Sequence, residues 1–280
     1  MMNKHETVRI AILDLYQGVA NEGMRCIREI LNQFGEMNHL NCEVDEFDVR
    51  LRNEVPSTHY DIYISSGGPG SPLETKGSAW EKAYFGWLNS IKAFNEDARN
   101  EEKKQVFLIC HSYQLVMREW NLGLVSKRKS TSFGVFPIHQ LERGREDIIF
   151  RGLPDPFYAV DSRDYQVTQP NLRVINENGG HILAIEKDRP HVPLERAIMA
   201  MRINDWMVGT QFHPEADAVG MAMHLQTPEK KASVIANYGQ AKWDSMIEQL
   251  NDPDKIMFTY AHVLPNFLFH AIGKTEPVFF

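Results

Sequence analysis

Cysteine is scarce in this sequence. Cys26, Cys42 and Cys110 are the three cysteines among 280 residues, and none of them belongs to a CxxC pair. Three scattered cysteines are too few for the disulfide framework of a small secreted domain, so a reducing cytoplasm is the expected location. The amino-terminal MMNKHET and the VRIAILDLY that follows it are too short and too interrupted by charge to predict a signal peptide.

Long apolar runs and an excess of positive charge are also missing. No stretch reaches the roughly 18 apolar residues that a membrane-spanning helix needs, so we expect no membrane segment. The formal net charge of −7 argues against nucleic acid and against an anionic membrane as partners. No cluster of metal-ligating residues and no GxxxxGK(S/T) phosphate loop is visible in the sequence. We therefore predict no metal, no ATP site and no other cofactor.

What the sequence does contain is enough apolar material for a large core, with 43% hydrophobic and 24% charged residues. In the first half, strand-like runs alternate with amphipathic helical patterns. The predicted strands cover residues 8–16, 42–49, 60–66 and 106–110, and the predicted helices cover 21–35, where Asn21 can cap, and 78–94. This alternation predicts an α/β fold with a doubly wound, mostly parallel sheet of the flavodoxin-like kind.

From about residue 130 the pattern changes to short strand candidates separated by turn residues. These segments are STSFGVFPI, PFYAVDS, HILAIEKD, RAIMAMRI and DWMVGTQF, and they predict an antiparallel extension of the sheet. Helical patterns then cover residues 228–250 and 253–271, and Pro265 is expected to kink or end the second helix. We predict a catalytic domain over 1–220 and a helical extension over 221–280. The extension would pack on that domain or form a contact between copies in a homo-oligomer.

Cys110 is the strongest candidate for a reacting group. It lies between the buried run VFLIC and the helical segment HSYQLVMREW, which places it on a strand-to-helix turn at the carboxyl edge of the sheet. A helix N-terminus favours the thiolate, the nucleophilic form of cysteine. Cys26 and Cys42 occupy a helix and a strand and are interpreted as structural.

Two further motifs carry groups that a cysteine nucleophile needs. SSGGPGSP, at 65–72, places consecutive glycines directly after a strand, where backbone N–H groups can form an oxyanion hole. GTQFHPEAD, at 209–217, places His213 at the end of a strand with Glu215 two residues later. Pro214 restricts His213 to an extended conformation, so both side chains point to the same side. A carboxylate so placed can orient an imidazole.

Together these motifs resemble the class I glutamine amidotransferases, the group that includes the glutaminase part of GMP synthetase. The resemblance covers roughly residues 8–220 and rests on SGGPGSP, LICHSYQL, SFGVFPI and GTQFHPE. It implies an enzyme in which Cys110 attacks the γ-carboxamide of glutamine, or of a γ-glutamyl amide, to form a thioester and release ammonia. His213 would transfer the proton and Glu215 would orient it.

The resemblance also implies roles for residues around the triad. The N–H groups of His111 and of Gly67 and Gly68 would form the oxyanion hole, and Gln114 would help to position the substrate. No synthetase segment is visible in the sequence. The ammonia would therefore go to a separate synthetase partner, or the substrate would be a γ-glutamyl compound.

The sequence departs from the family at the strand-to-helix turn around Cys110, which we call the elbow. Leu108 and Ser112 stand where the family usually has glycine, and Tyr113 stands where histidine is frequent. Homoserine acyltransferases, with Cys, His and Glu in the same order, are the main alternative. If the chain resembles that group in function, Arg163 of DSRDYQV would bind a substrate carboxylate. The adjacent pair Cys110-His111 is similar to a Cys-His pair in a second related group, the intracellular proteases and deglycases. A non-catalytic binding subunit is the third alternative.

Overall fold

The computed structural model describes residues 7–19, 21–191, 193–250, 252 and 255–273. Within them, nine strands form one sheet in the order β2-β1-β3-β4-β9-β8-β7-β5-β6. The strands are β1 (Thr7–Asp14), β2 (Asn41–Asp48), β3 (Ile62–Ser65), β4 (Gln105–Ile109), β5 (Leu124–Gln140), β6 (Phe157–Thr168), β7 (His181–Glu186), β8 (Ile198–Asn204) and β9 (Met207–Thr210). The predicted segment MMNKHET lies outside the described residues except for Thr7.

The sheet has a parallel half and an antiparallel half. β2, β1, β3, β4 and β9 run parallel to one another. β9 also pairs antiparallel with β8, and the ladder continues antiparallel through β7 and β5 to β6. The prediction of an α/β fold with a parallel sheet and an antiparallel extension is therefore confirmed, and the sheet as a whole is mixed.

The helices of the described residues lie on both faces of the sheet or follow its last strand. They are α1 (Glu22–Asn38), α2 (Val49–Arg52), α3 (Ala79–Glu96), α4 (His111–Glu119), α5 (Glu142–Glu146), α6 (Leu172–Glu177), α7 (Ala218–Gln226), α8 (Pro228–Tyr238), α9 (Gln240–Leu250) and α10 (Ile256–Ala271), with a 3₁₀ turn at Ile148–Phe150. The Asn21 side chain accepts a hydrogen bond from the Met24 N–H at 2.9 Å and caps α1, as its position predicts.

Alternating side chains of the parallel strands divide the core into two layers. Ile10 and Ile12 of β1 belong to a cluster that also holds residues of α1 and α10, whereas Ala11 and Leu13 belong to a cluster with residues of α3 and α4. Strands covered on both faces contain continuous apolar runs, and β4 does so with VFLI. Because β3, β4 and β9 run parallel, their carboxyl ends lie at one edge of the sheet, where the candidate site lies.

The carboxy-terminal helices differ in part from the sequence prediction. The predicted helix 228–250 is divided by Gly239 into α8 and α9. α10 continues through Pro265 to Ala271, so the proline does not end the helix, and a kink there stays a prediction. Positions 253 and 254 of the predicted helix lie outside the described residues. Side chains of α10 are buried in the same cluster as those of β1 and α1. The domain boundary at residue 220 stays a prediction.

Candidate active site

Cys110 occupies the turn between β4 and α4. Its φ of 47° and ψ of −93° lie outside the regions that residues with a side chain favour. The Cys110 N–H donates to the Thr210 carbonyl at 2.7 Å, and the Gln114 N–H donates to the Cys110 carbonyl at 2.9 Å. These bonds hold a strained strand-to-helix turn of the kind that presents a nucleophile at a sheet edge. Cys110 is 5% exposed.

Leu108 and Ser112, which replace the elbow glycines of the family, are accommodated by their surroundings. Leu108 is fully buried and pairs with Gly209 of β9. A Cβ on Gly209 would lie 3.2 Å from Leu108 Cβ and 2.6 Å from Tyr113 Cδ2, so the glycine on the neighbouring strand provides the room. Ser112 Oγ donates to the Ser65 carbonyl at 2.8 Å and thereby ties the elbow to the end of β3.

His213 and Glu215 form a hydrogen-bonded pair beside Cys110. The His213 Nδ1 and a carboxylate oxygen of Glu215, Oε1, are 2.9 Å apart. His213 and Cys110 line the same cavity, and the Cys110 side chain contributes to a raised pKa of His213. The Glu215 carboxylate is 1% exposed, and its Oε2 has no partner among the described residues. Glu215 is therefore placed to orient the imidazole ring.

The electrostatics of this group favour a protonated imidazole. Burial alone would lower the pKa of His213, but the charges of Glu215 and Cys110 and the hydrogen bonds to both raise that pKa well above its ordinary value. A cationic imidazole beside a thiol favours the nucleophilic thiolate. Burial and the same two neighbours raise the pKa of the Tyr16 hydroxyl well above its usual value, so Tyr16 stays neutral.

The glycine-rich loop lies against the pair. A Cβ on Gly67 would approach His213 Cε1 to 2.9 Å, and a Cβ on Gly68 would approach the Leu15 carbonyl oxygen to 2.4 Å, so neither position has room for a side chain. Gly68 lines the cavity that contains Cys110, and so does His111 at the start of α4. The first N–H groups of a helix have no partner within that helix, so the His111 N–H is suited to bind an oxyanion.

Two partly buried arginines, Arg50 and Arg118, hold this loop in place. Arg50 donates to the Pro69 carbonyl at 2.6 Å, and Arg118 donates to the Pro72 carbonyl. Arg118 also pairs with Glu81 at 2.8 Å. The His111 side chain is 1% exposed, and its Nε2 has no partner among the described residues. Burial, aided by the charges of Arg50 and Arg118, lowers the pKa of His111 to about 3, so its ring is neutral.

Gln114 is placed at the same cavity and is linked to a residue that the sequence analysis did not assign. The Gln114 Nε2 donates to the Tyr165 carbonyl and to Gln211 Oε1, both at 3.2 Å. Gln211 Nε2 in turn lies 3.7 Å from Cys110 Sγ. The position of Gln211, two residues before His213 in a strand-like run, is the signal that could have revealed it.

Arg163 lines the cavity, but its guanidinium is hydrogen-bonded to groups of the protein. Its side chain is 1% exposed, and its Nε donates to both carboxylate oxygens of Asp161 at 2.8 and 2.9 Å. Glu186 lies within 3.5 Å of Arg163 and 3.1 Å of Arg128, which completes a buried ion network. These hydrogen bonds inside the protein argue against the role that the acyltransferase alternative gives to Arg163, which is to bind a substrate carboxylate.

Cys110, His111, Gln114, His213 and Glu215 all line one cavity of about 460 Å³. Gly67 is absent from its lining but lies next to His213. Within the described ranges, no group of three or more His, Cys, Asp or Glu side chains is arranged to hold a metal ion. Among the same residues, no helix is both long and apolar enough to cross a membrane.

Comparison with known families decides which protein family this site belongs to. A sequence model of the glutamine amidotransferase class-I family matches residues 19–225. The chain belongs to the class-I glutamine amidotransferase family. The resemblance drawn from the motifs is thus confirmed. No curated protein matches the sequence of this amidotransferase.

Solved structures of glutamine amidotransferases share the fold. One from Thermotoga maritima superposes with a TM-score of 0.68 at 15% identity, covering 96% of this chain and 99% of the other. The glutaminase domain of CTP synthase from Trypanosoma brucei, with bound acivicin, gives 0.59 at 13% identity, with coverage of 96% and 95%. A glutamine amidotransferase from Methylobacillus flagellatus gives 0.57 at 14% identity, with coverage of 98% and 97%.

Proposed function

We propose that this amidotransferase hydrolyses the γ-carboxamide of glutamine, or of a γ-glutamyl amide, through a thioester on Cys110. The observation that carries the proposal is the His213–Glu215 hydrogen bond of 2.9 Å beside a cysteine on a strained elbow. Nucleophile, base and orienting carboxylate within hydrogen-bonding reach of one another constitute the arrangement needed for covalent catalysis. The cavity lining contains all three residues.

In the first half-reaction the Cys110 sulfur attacks the amide carbon, and a C–S bond forms. The oxygen of the tetrahedral intermediate becomes negative, and the N–H groups of His111 and of the Gly67–Gly68 turn would stabilise it. The C–N bond then breaks, and His213 gives its proton to the leaving nitrogen. Gln114, on the cavity wall, would contact the glutamyl group.

In the second half-reaction water attacks the glutamyl thioester. His213 takes a proton from that water as general base while Glu215 stabilises the imidazolium that results. Collapse of the second tetrahedral intermediate releases glutamate and regenerates Cys110. The balance is one amide and one water in, and glutamate and ammonia or an amine out.

The fate of the ammonia is part of the proposal. The Trypanosoma brucei structure is a glutaminase domain of CTP synthase, which supports a partnership between this chain and a separate synthetase. A cytoplasmic location fits three free cysteines. The pairing of Arg163 with Asp161 argues against homoserine acyl transfer, so hydrolysis of a γ-glutamyl amide is the better supported function.

The test is release of glutamate and ammonia from glutamine or a γ-glutamyl amide by the purified protein. Cys110→Ala should abolish the release. Cys42→Ala is the matched control, because Cys42 lies in β2 and does not line the cavity. Turnover that survives in Cys110→Ala would remove Cys110 from the mechanism. Acyl transfer from an acyl-CoA to homoserine without ammonia release would establish the acyltransferase alternative.

A further inference from the structure

The side of the cavity beside His213 is apolar. Phe133, Val160, Ala216 and Met221 line the cavity, and we refer to these four residues as the apolar wall. Phe133 and Val160 are buried members of one hydrophobic cluster, against which Ala216 and Met221 pack. The wall is therefore built from strands β5 and β6 on one side and from the segment around α7 on the other.

The apolar wall is next to the residue that protonates the leaving group. The His213 N–H donates to the Val160 carbonyl at 2.8 Å, and the Ala216 N–H donates to the His213 carbonyl at 3.4 Å. General-acid catalysis requires the leaving nitrogen to lie within hydrogen-bonding reach of the imidazole. A substituent on that nitrogen would extend from His213 along the cavity, where the wall lies.

We infer that the physiological substrate is a γ-glutamyl amide whose amine carries an apolar substituent, which the apolar wall binds. This inference rests on the proposed hydrolysis through Cys110. Ammonia has no apolar surface to bury, whereas an alkyl chain gains from each methylene removed from water. A cavity of about 460 Å³ is within the range of sites that enclose drug-sized ligands.

Charges near the wall are largely neutralised within the protein. Asp217, which follows Ala216, receives two hydrogen bonds of 2.8 Å from Arg25. Asp164 is an exposed carboxylate on the lining, and it accepts a hydrogen bond from Thr131. A substituent with a terminal ammonium group would be drawn to Asp164, so the charge of the substituent has to be tested separately from its size.

The reaction for such a substrate is balanced in the same way as for glutamine. The C–S bond to Cys110 forms, the C–N bond breaks, and the nitrogen leaves as a primary amine with the proton of His213. Water then cleaves the thioester, so that the amide and water become glutamate and the amine.

The experiment compares three substrates with the purified wild-type protein: glutamine, γ-glutamyl-n-butylamide, and a γ-glutamyl amide with the same chain ending in an ammonium group. We expect kcat/KM for the butylamide to exceed that for glutamine at least about tenfold, and to exceed that for the ammonium analogue. Preference for the ammonium analogue would overturn the apolar assignment. Equal or better use of glutamine would overturn the inference but leave the proposed function intact.

Substitutions in α7 test whether the preference for the butylamide arises at the apolar wall. Met221→Ser should lower the butylamide-to-glutamine ratio of kcat/KM roughly tenfold. Met223→Ser is the matched control, since Met223 is on the same helix, 59% exposed and outside the cavity lining, and it should keep the wild-type ratio. An unchanged ratio in Met221→Ser would contradict binding at the apolar wall. If the wild type hydrolyses none of the three substrates, the proposed function fails together with the inference.

Discussion

The two halves of the sheet bury polar groups in different ways. In the parallel half, strands β3 and β4 are almost wholly apolar, and the ionisable His111 beside them is buried as a neutral ring. In the antiparallel half, buried residues of β6 and β7 carry full charges that neutralise one another. Burial alone would raise the pKa of Glu186, but Arg163, Arg128 and Arg189 outweigh it and lower that pKa.

The two halves accordingly contribute to the site in different ways. The parallel half presents Cys110 through backbone geometry and close packing. The antiparallel half supplies contacts to the site from β6, whose backbone meets His213 at Val160 and Gln114 at Tyr165. β9 joins the halves, since it pairs parallel with β4 and antiparallel with β8. His213 and Glu215 follow β9 directly and so lie where the halves meet.

The largest expected effect comes from weakening the interaction between His213 and Glu215, which lie where the two halves of the sheet meet. Glu215→Gln keeps the size of the side chain but removes the charge that stabilises the His213 imidazolium. We expect kcat for hydrolysis to fall by roughly 10²–10⁴-fold, by analogy with other triads. The measurement is glutamate release at saturating substrate. Glu195→Gln, an exposed change outside the cavity, should keep the wild-type rate, and an equal loss in both variants would contradict the assignment.

The next effect tests the charges of the antiparallel half. Arg163→Met leaves the buried carboxylates of Asp161 and Glu186 without their shared cation, and removal of one partner from a buried pair costs about 3–5 kcal/mol of unfolding free energy. Arg145→Met is the control, because Arg145 is 60% exposed and its pair with Asp155 contributes about 0–1 kcal/mol. Urea unfolding of both variants checks this. If Arg163→Met loses no more unfolding free energy than Arg145→Met, the ion network does not stabilise the fold.

A smaller effect tests packing in the parallel half. Gly209→Ala brings a methyl group against Tyr113 Cδ2 and Leu108 Cβ, and such overpacking costs about 1–3 kcal/mol. Gly86→Ala in helix α3 is the control, since a Cβ there meets no atom within 4 Å and a helical alanine stabilises by up to about 1 kcal/mol. Thermal unfolding of the two variants should therefore shift in opposite directions. A Gly209→Ala protein as stable as the wild type would show that Leu108 needs no glycine opposite.

The smallest expected effect tests whether the His111 ring is neutral in the folded protein. The folded-state pKa of His111 is about 3, below the value of about 6.5 in the unfolded chain, so the unfolded chain binds more protons between these values. Stability should therefore fall as the pH drops below 6.5. From pH 7.5 to 5.5 the contribution of His111 is a loss of about 1.4 kcal/mol.

His111→Asn removes this titration and keeps the backbone N–H. The stability difference between wild type and variant should change by that amount over the same pH interval, in favour of the variant at pH 5.5. Urea unfolding at the two pH values measures it. A difference that does not change with pH would show that His111 is not held neutral in the fold.

Much of the parallel half could be predicted from the sequence, because its signals are local. The apolar run before Cys110 and the glycines after β3 mark strand ends, and strand ends of a parallel sheet meet at one edge. The pairing of His213 with Glu215 follows from their two-residue spacing. These features need no knowledge of distant contacts.

The rest depends on residues far apart in the chain. Gly209 makes room for Leu108 across neighbouring strands, and only the sheet order shows this. The sequence offers Arg163 as a candidate to bind a substrate carboxylate, but Glu186, which comes 23 positions later, pairs with it in a buried ion network. The apolar wall likewise joins β5 and β6 to α7, so no single motif predicts it.

The most direct test is covalent labelling with acivicin, the compound bound to the structurally similar Trypanosoma brucei domain. As a glutamine-mimicking electrophile it should modify the residue that attacks the amide. Peptide mass spectrometry of the treated wild-type protein should find one adduct, on Cys110, and excess substrate should suppress it. An adduct on Cys26 or Cys42, or no adduct at a cysteine, would contradict the assignment of Cys110 as nucleophile.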